Sequence, residues 1–364
     1  MNQSHYKKYE GSNIKLVTSC VRNPAQQLPA NMRWSKLNIA PRDGDLVLVR
    51  CLDSKGAYNQ AEDLNGMPIR LYEGDLLLLV LATRRSGTNL IGEIPAGPIE
   101  TGHRLDLVAQ GGLVAQCVDL PAYYGTHALP LEVVAFATSE DGRILNLDYA
   151  PVVPLLPLDA PYPIKPTLFV CGTSAEVGKT TAVCNLSLAL KNYNPKLRTA
   201  AIKACGTGRA KDSLHYRAAN YDVVTDFIDA GLPSTYNISE EKFRQTLKSL
   251  VTHSSEHADF VVVEIGGDFL EAQAPTALAM MAEMNAHCIM MVNDAMGAME
   301  GMRRLRELGR TPLMVGTFKQ NLRALALRLE LPASQVADSS DAAALLRVIE
   351  AMCYSYRSSQ LTAL

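Results

Sequence analysis

The stretch GTSAEVGKTT, residues 172–181, has the composition of a loop that cradles phosphate. Gly172 and Gly178 bracket five residues, Thr173 to Val177, and Lys179, Thr180 and Thr181 follow at once. Backbone N–H groups in such a loop point inward, and a helix starting at its end adds positive potential for an anion. On this reading Gly172, Thr173, Glu176, Val177, Gly178, Lys179, Thr180 and Thr181 bind the phosphates of a nucleotide. The Lys179 ammonium reaches the terminal phosphates, and the Thr180 hydroxyl ligates Mg2+. The commoner spacing, G-x-x-x-x-G-K, is one residue shorter.

Three further segments carry residue types that suit the same chemistry. In FVVVEIGGDFLEAQAP, residues 260–275, an apolar run ends in Glu264, followed by Gly266 and Gly267. A carboxylate at that place is an anionic partner for Mg2+, and the glycines let backbone pass close to a phosphate or substrate. In AIKACGTGRAKDS, residues 201–213, Lys203 closes another apolar run. Thr207, Arg209 and Lys211 then supply donors for an anion. Asp212 reads equally as a further Mg2+ ligand or as an N-cap for the next helix. In YDVVTDFIDAGLPSTYNIS, residues 221–239, the first part reads as helical, with Asp226 and Asp229 on or near it. Its GLPSTY is a hydroxyl-bearing loop, open to substrate recognition or to a plain connection.

These segments need a scaffold, and the chain has two kinds of text. Between about 44 and 150 it consists of short apolar runs broken by turns, such as GDLVLVRC, GDLLLLVLAT, GHRLDLVAQ and LEVVAFAT. Asp141-Gly142 is a hairpin signal. The pattern predicts a smaller, antiparallel, all-β domain over 1–150, a barrel or a sandwich. Residues 150–166 hold six prolines, and 151–166 read as an extended linker. From 167 to 364 apolar strands (167–172, 199–204, 260–265, 287–293, 312–318) alternate with helical patterns near 179–192, 239–257, 274–285, 297–309, 319–330 and 341–352. That alternation predicts an α/β fold with a mainly parallel sheet. The phosphate loop then lies where a buried strand feeds a helix.

Composition narrows the function classes. The chain has 364 residues, 20% charged, and a net charge of −2. No global charge favours nucleic acid or an anionic membrane. The N-terminus MNQSHYKKYEGSN lacks the apolar core of a signal peptide, and LLLLVLAT is too short to span a bilayer. The eight cysteines form no CxxC, so a cytoplasmic protein with reduced thiols is expected. No Ser/His/Asp or Cys/His set points to a covalent nucleophile.

The loop GTSAEVGKT resembles that of dethiobiotin synthetase, GT-D-TEVGKT, and is similar to the GTxSxxGKT loop of cobyrinic acid a,c-diamide and cobyric acid synthases. Segment 260–275 resembles the synthetase's VEGAGG, and Lys203 resembles the lysine of its KPVxxG. The resemblance spans about residues 167–320. It implies a P-loop NTPase domain using ATP and Mg2+, in which a small carboxylate or carbamate is phosphorylated and an amine displaces the phosphate, forming a C–N bond. Lys179, Lys203 and Glu264 would be catalytic, with Thr180, Glu264 and Asp212 at the metal. Lys203, Thr207, Arg209, Gly266 and Gly267 would face the substrate, and a homodimer is implied. Ser174 departs from the synthetase, which has Asp there, and from ParA/MinD-type ATPases, which have a second Lys. With only a few dozen residues after the last strand, no cobyrinate-type glutaminase domain is expected, and the N-terminal 150 residues are additional to dethiobiotin synthetase. A more distant likeness, to P-loop proteins linked to N-acylation of amino acids, leaves an acyl-CoA-dependent N-acyltransferase open. A small-molecule kinase and a nucleotide-switch ATPase or GTPase are further alternatives. No Asn-Lys-x-Asp follows PLMVGTF, which favours ATP over GTP.

Overall fold

In the computed structural model, which describes residues 8–23, 32–149, 151–163 and 165–361, five strands of the first half close on themselves. They are β1 (Leu46–Cys51), β2 (Leu76–Leu81), β3 (Arg104–Ala109), β4 (Leu113–Asp119) and β5 (Leu129–Thr138). Antiparallel pairings run β2–β1–β5–β3–β4. A parallel pairing of β4 with β2, with Leu113 opposite Val80, shuts the ring. Of the two expected all-β forms, barrel or sandwich, the barrel is present, with a correction to the wholly antiparallel order. A closed ring with an odd number of strands cannot alternate direction at every seam, so one seam must be parallel.

Alternate residues of these strands enter two different cores. Val47, Val49, Leu77 and Leu79 join one, and Leu46, Leu48, Leu76 and Leu78 join the other. Burial on both faces is why LVLVRC and LLLLVL read as unbroken apolar runs. The second core also takes Phe227, Ile228 and Leu232. Residues Met1–Pro154, Thr207–Lys211 and Phe227–Ile238 accordingly form one compact unit. Leu155–Gly206, Asp212–Asp226 and Ser239–Leu364 form the second, so the division is not a single cut of the chain. Residues 1–7 of the N-terminal stretch, and positions 150 and 164 around the linker, lie outside the described residues.

The second unit is built on seven parallel strands: β6 (Thr167–Gly172), β7 (Thr199–Lys203), β8 (Val223–Asp226), β9 (Phe260–Glu264), β10 (His287–Met291), β11 (Met314–Gly316) and β12 (Val336–Ala337). Their order is β8-β7-β9-β6-β10-β11-β12. The helices are α1 (Lys179–Tyr193), α2 (Lys211–Ala218), α3 (Glu240–His257), α4 (Ala274–Glu283), α5 (Ala295–Glu307), α6 (Leu322–Leu329) and α7 (Ala342–Leu361). Leu168 and Val170 of β6 pack with Val183 and Leu186 of α1 and with Leu345 and Ile349 of α7. After β6 the chain builds outward on one side, and after β9 it crosses to the other. Sheets of this kind bind ligands at such a switch point, outside the carboxyl ends of the strands.

One expectation from the sequence in this unit needs correction. The helical reading of the start of 221–239 fails, because Val223–Asp226 is a strand, in parallel register with Ala200–Lys203. Val223, Val224 and Thr225 are β-branched and favour the pleated surface. GLPSTY lies in the first unit, where Ser234 Oγ donates to the Thr83 carbonyl at 2.7 Å and Thr235 is fully buried. The proline-rich segment carries no helix or strand over its described residues, as its composition demands. It is fastened to α3 by Leu156 N–H donating to Ser249 Oγ at 2.8 Å and by Lys248 Nζ donating to the Ala160 carbonyl at 2.8 Å. Among the described residues, no helix is long and apolar enough to cross a membrane.

Candidate functional site

The loop 172–178 leaves the carboxyl end of β6 and α1 begins at Lys179. Val177, fully buried, anchors it. Gly178 sits at φ +93°, and a Cβ there would come within 2.8 Å of the Phe318 ring, so only glycine fits. Glu176 is exposed with φ +57°, and Thr181 is exposed on α1. Thr173 N–H donates to the Met291 carbonyl at 3.0 Å, tying the loop to β10. The Ser174 hydroxyl accepts from Asn293 Nδ2 at 2.6 Å.

Around the start of α1 four elements bring charged groups together. Lys203 and Glu264 are directly opposite each other in the β7–β9 register, both at the last residue of their strand. Lys203 Nζ lies 2.5 Å from Glu264 Oε1 and 2.9 Å from Asp212 Oδ2. The Thr180 hydroxyl donates to Glu264 Oε1 at 3.1 Å and lies 3.4 Å from Asp212 Oδ1. Tyr216 Oη donates to the other Glu264 oxygen at 2.5 Å. Lys179 Nζ donates to the Ser174 carbonyl at 2.8 Å and the Gly267 carbonyl at 2.5 Å. Gly266 is required by close approach, since a Cβ there would stand 2.1 Å from the Cys205 carbonyl oxygen.

The two lysines have opposite electrostatics. Burial depresses the Lys179 ammonium below the usual lysine range, with Glu264 partly offsetting it. Burial also works against the charge on Lys203, but Asp212 and Glu264 outweigh it and raise that group. Burial, then the Glu264 and Asp212 charges, hold the Tyr216 phenol protonated far above its usual range. The result is a charged knot closed by hydrogen bonds, in which Glu264, 1% exposed, accepts from three side chains.

The oxygens of Thr180, Asp212 and Glu264 make a hard donor set beside the start of α1, which fits Mg2+ rather than a softer ion. Asp212 lies inside the first turn of α2, not ahead of it, so it is not placed as that helix's cap. Thr207 and Arg209 belong to the first unit. There Thr207 bridges to Ser234, and the Arg209 guanidinium donates to Glu62 at 2.6 Å and Gln110 at 2.7 Å. Arg209 therefore has a structural partner that the sequence did not announce. Tyr216 and Asn293 were missed altogether. Tyr216 follows Asp212 by one helical turn, and Asn293 follows an apolar strand at its carboxyl end, so both positions carried a signal. A cleft of about 120 Å3 opens beside Thr173, walled by Asp268, Phe269, Gly297, Glu300 and Arg304.

No family model matches the chain, and no curated protein matches it in sequence. Among solved structures it is similar to a ParA family ATPase from Chlorobium tepidum TLS, at 12% identity and a TM-score of 0.32, over 50% of this chain and 91% of that one. It is also similar to the signal recognition particle 54 kDa protein from Aeropyrum pernix K1, in a complex with GDP, at 12% identity and a TM-score of 0.33. That likeness covers 55% of this chain and 51% of the other, about half its length. The fold itself is given by the seven parallel strands and the loop at the end of β6.

Proposed function

We propose that the second unit binds ATP with Mg2+ and transfers the terminal phosphoryl group to a small carboxylate or carbamate, activating it for attack by an amine. One observation carries this reading. A second lysine, the half-buried Lys203, stands near the start of α1 and is held on Glu264 and Asp212. Phosphoryl transfer needs positioned charge more than covalent help. Lys179 draws the terminal phosphate to the loop, exchanging the Ser174 and Gly267 carbonyls for phosphate oxygens. Lys203 neutralises the anionic acceptor as it approaches. Thr180, Asp212 and Glu264 would hold the metal, which when bound would offset charge on the phosphates. Tyr216 and the β7–β9 register keep Glu264 in place. The cleft beside Thr173 supplies a wall for a small acceptor.

The test uses the purified full chain with Mg-ATP and a panel of small carboxylates and amines, following ADP release. The reading expects at least about tenfold stimulation by one acceptor, and a loss of at least about 100-fold in Lys179→Ala, as when one stabilising donor is removed. Binding of acetyl-coenzyme A without ATP turnover would instead identify an acyltransferase. Slow hydrolysis indifferent to every acceptor would identify a nucleotide switch.

A further inference from the structure

The carboxyl-terminal turn of α3 carries the sequence His253-Ser254-Ser255-Glu256-His257. Ser254 and Ser255 are buried, while Glu256 and His257 are exposed and His253 is half-buried. Residues three and four apart share a helix face, so the two imidazoles and the carboxylate stand side by side. The imidazole rings lie 4.7 Å apart, centre to centre, tilted by 40°. One ligand atom from each of the three residues falls within 4.8 Å of the others. Two nitrogens on one tetrahedral ion, each at about 2.0–2.1 Å, are separated by roughly 3.3 Å. A small rotamer adjustment of side chains at the helix surface closes that difference.

The hydrogen bonding at this turn prepares the pair for metal. His257 Nδ1 lies 2.8 Å from the His253 carbonyl oxygen. A carbonyl can only accept, so Nδ1 carries the hydrogen, and the neutral ring presents its lone pair at Nε2. Ligating histidines are commonly oriented by this kind of bond. The end of a helix also carries partial negative charge on its last carbonyls, which favours a cation there. Two imidazoles and one carboxylate suit zinc, nickel or copper, whereas Mg2+ and Ca2+ select oxygen donors. This set therefore differs in kind from the oxygen set of Thr180, Asp212 and Glu264.

We propose that His253, Glu256 and His257 form a surface site for a late first-row divalent ion, zinc foremost, with coordination positions left over for water or an outside ligand. The site is independent of the phosphoryl-transfer reading. The test is a titration of the full chain with Zn2+ in competition with a chromogenic chelator, repeated with Co2+ followed by absorption. One equivalent should bind, and His253→Gln and His257→Gln should each weaken it at least tenfold. Glu256→Gln should weaken it less. Co2+ should give ligand-field bands without the near-ultraviolet thiolate band, which separates this site from the eight free cysteines. Far-ultraviolet circular dichroism checks that the variants keep their helices. Unchanged Zn2+ affinity in the double His→Gln variant, a dominant thiolate band, or no binding at 100-fold excess of metal over protein would each overturn the proposal.

Discussion

Replacing Lys203 by methionine isolates the central charge of the site. Methionine keeps much of the stem and removes the ammonium, so loss of packing is small. What remains is Glu264, 1% exposed, with hydrogen bonds from Thr180 and Tyr216 but without the cation 2.5 Å away. Removing one partner of a buried ion pair costs about 3–5 kcal/mol, because the surviving charge has lost its compensation. The lower part of that range is expected here, since Lys203 is 14% exposed and Asp212 27%. At about 2–4 °C per kcal/mol for a unit of 150–250 residues, melting should fall by roughly 10 °C. The sign with pH follows from the raised Lys203 value. Its stabilisation is fully present below the ordinary lysine range and is lost only as pH rises through the higher folded value. The deficit of Lys203→Met should therefore persist from pH 6 to 9. Urea unfolding of wild type, Lys203→Met, Glu264→Gln and the double variant gives the coupling directly. Adding MgCl2 should return part of the lost stability to Lys203→Met, because the ion replaces the missing positive charge between the carboxylates. A Lys203→Met protein within about 1 kcal/mol of wild type, with no coupling to Glu264→Gln, would refute the ion-pair reasoning.

Two other perturbations follow from the same geometry. Arg209→Ala should destabilise the chain by about 2 kcal/mol, below the full cost of breaking a buried pair because Arg209 is 39% exposed while Glu62 is 4%. Adding Glu62→Gln should recover part of that loss, and equal stability of Arg209→Ala and wild type in urea would show that the contact is idle. Burial, helped by Arg310, lowers the His287 imidazole below its ordinary range. Its folded form resists protonation, so stability should be intact above about pH 6.5 and decline as pH falls below it. Urea midpoints from pH 8 to 5 should slope less in His287→Gln, and identical slopes would remove His287 from the account.

Much of the second unit was legible because the chain states it locally. The strand–loop–helix turn needs only a buried strand, small residues and a helix start, all contiguous in residues 167–193. The polar ends of apolar strands marked Lys203 and Glu264, since a charged residue closing such a run must leave the sheet at its edge. The strand 223–226 was misread because four residues are too short to show a period, and its pairing with β7 decides it. Tyr216 was passed over because its one signal, a helical turn's spacing from Asp212, gains meaning only once Glu264 is known to face it.

The loop proposed to bind phosphate and the alternation that makes a parallel sheet follow from sequence, since both are set by neighbours along the chain. Tertiary structure decided where the middle segments go. Thr207–Lys211 and Phe227–Ile238 lie within the α/β text, yet they complete the core of the first unit, with Phe227, Ile228 and Leu232 buried against its strands and Arg209 spent on Glu62. No local pattern distinguishes a basic loop that grips a substrate from one that meets a buried glutamate some 147 residues away. That choice depends on which charge the fold delivers to it.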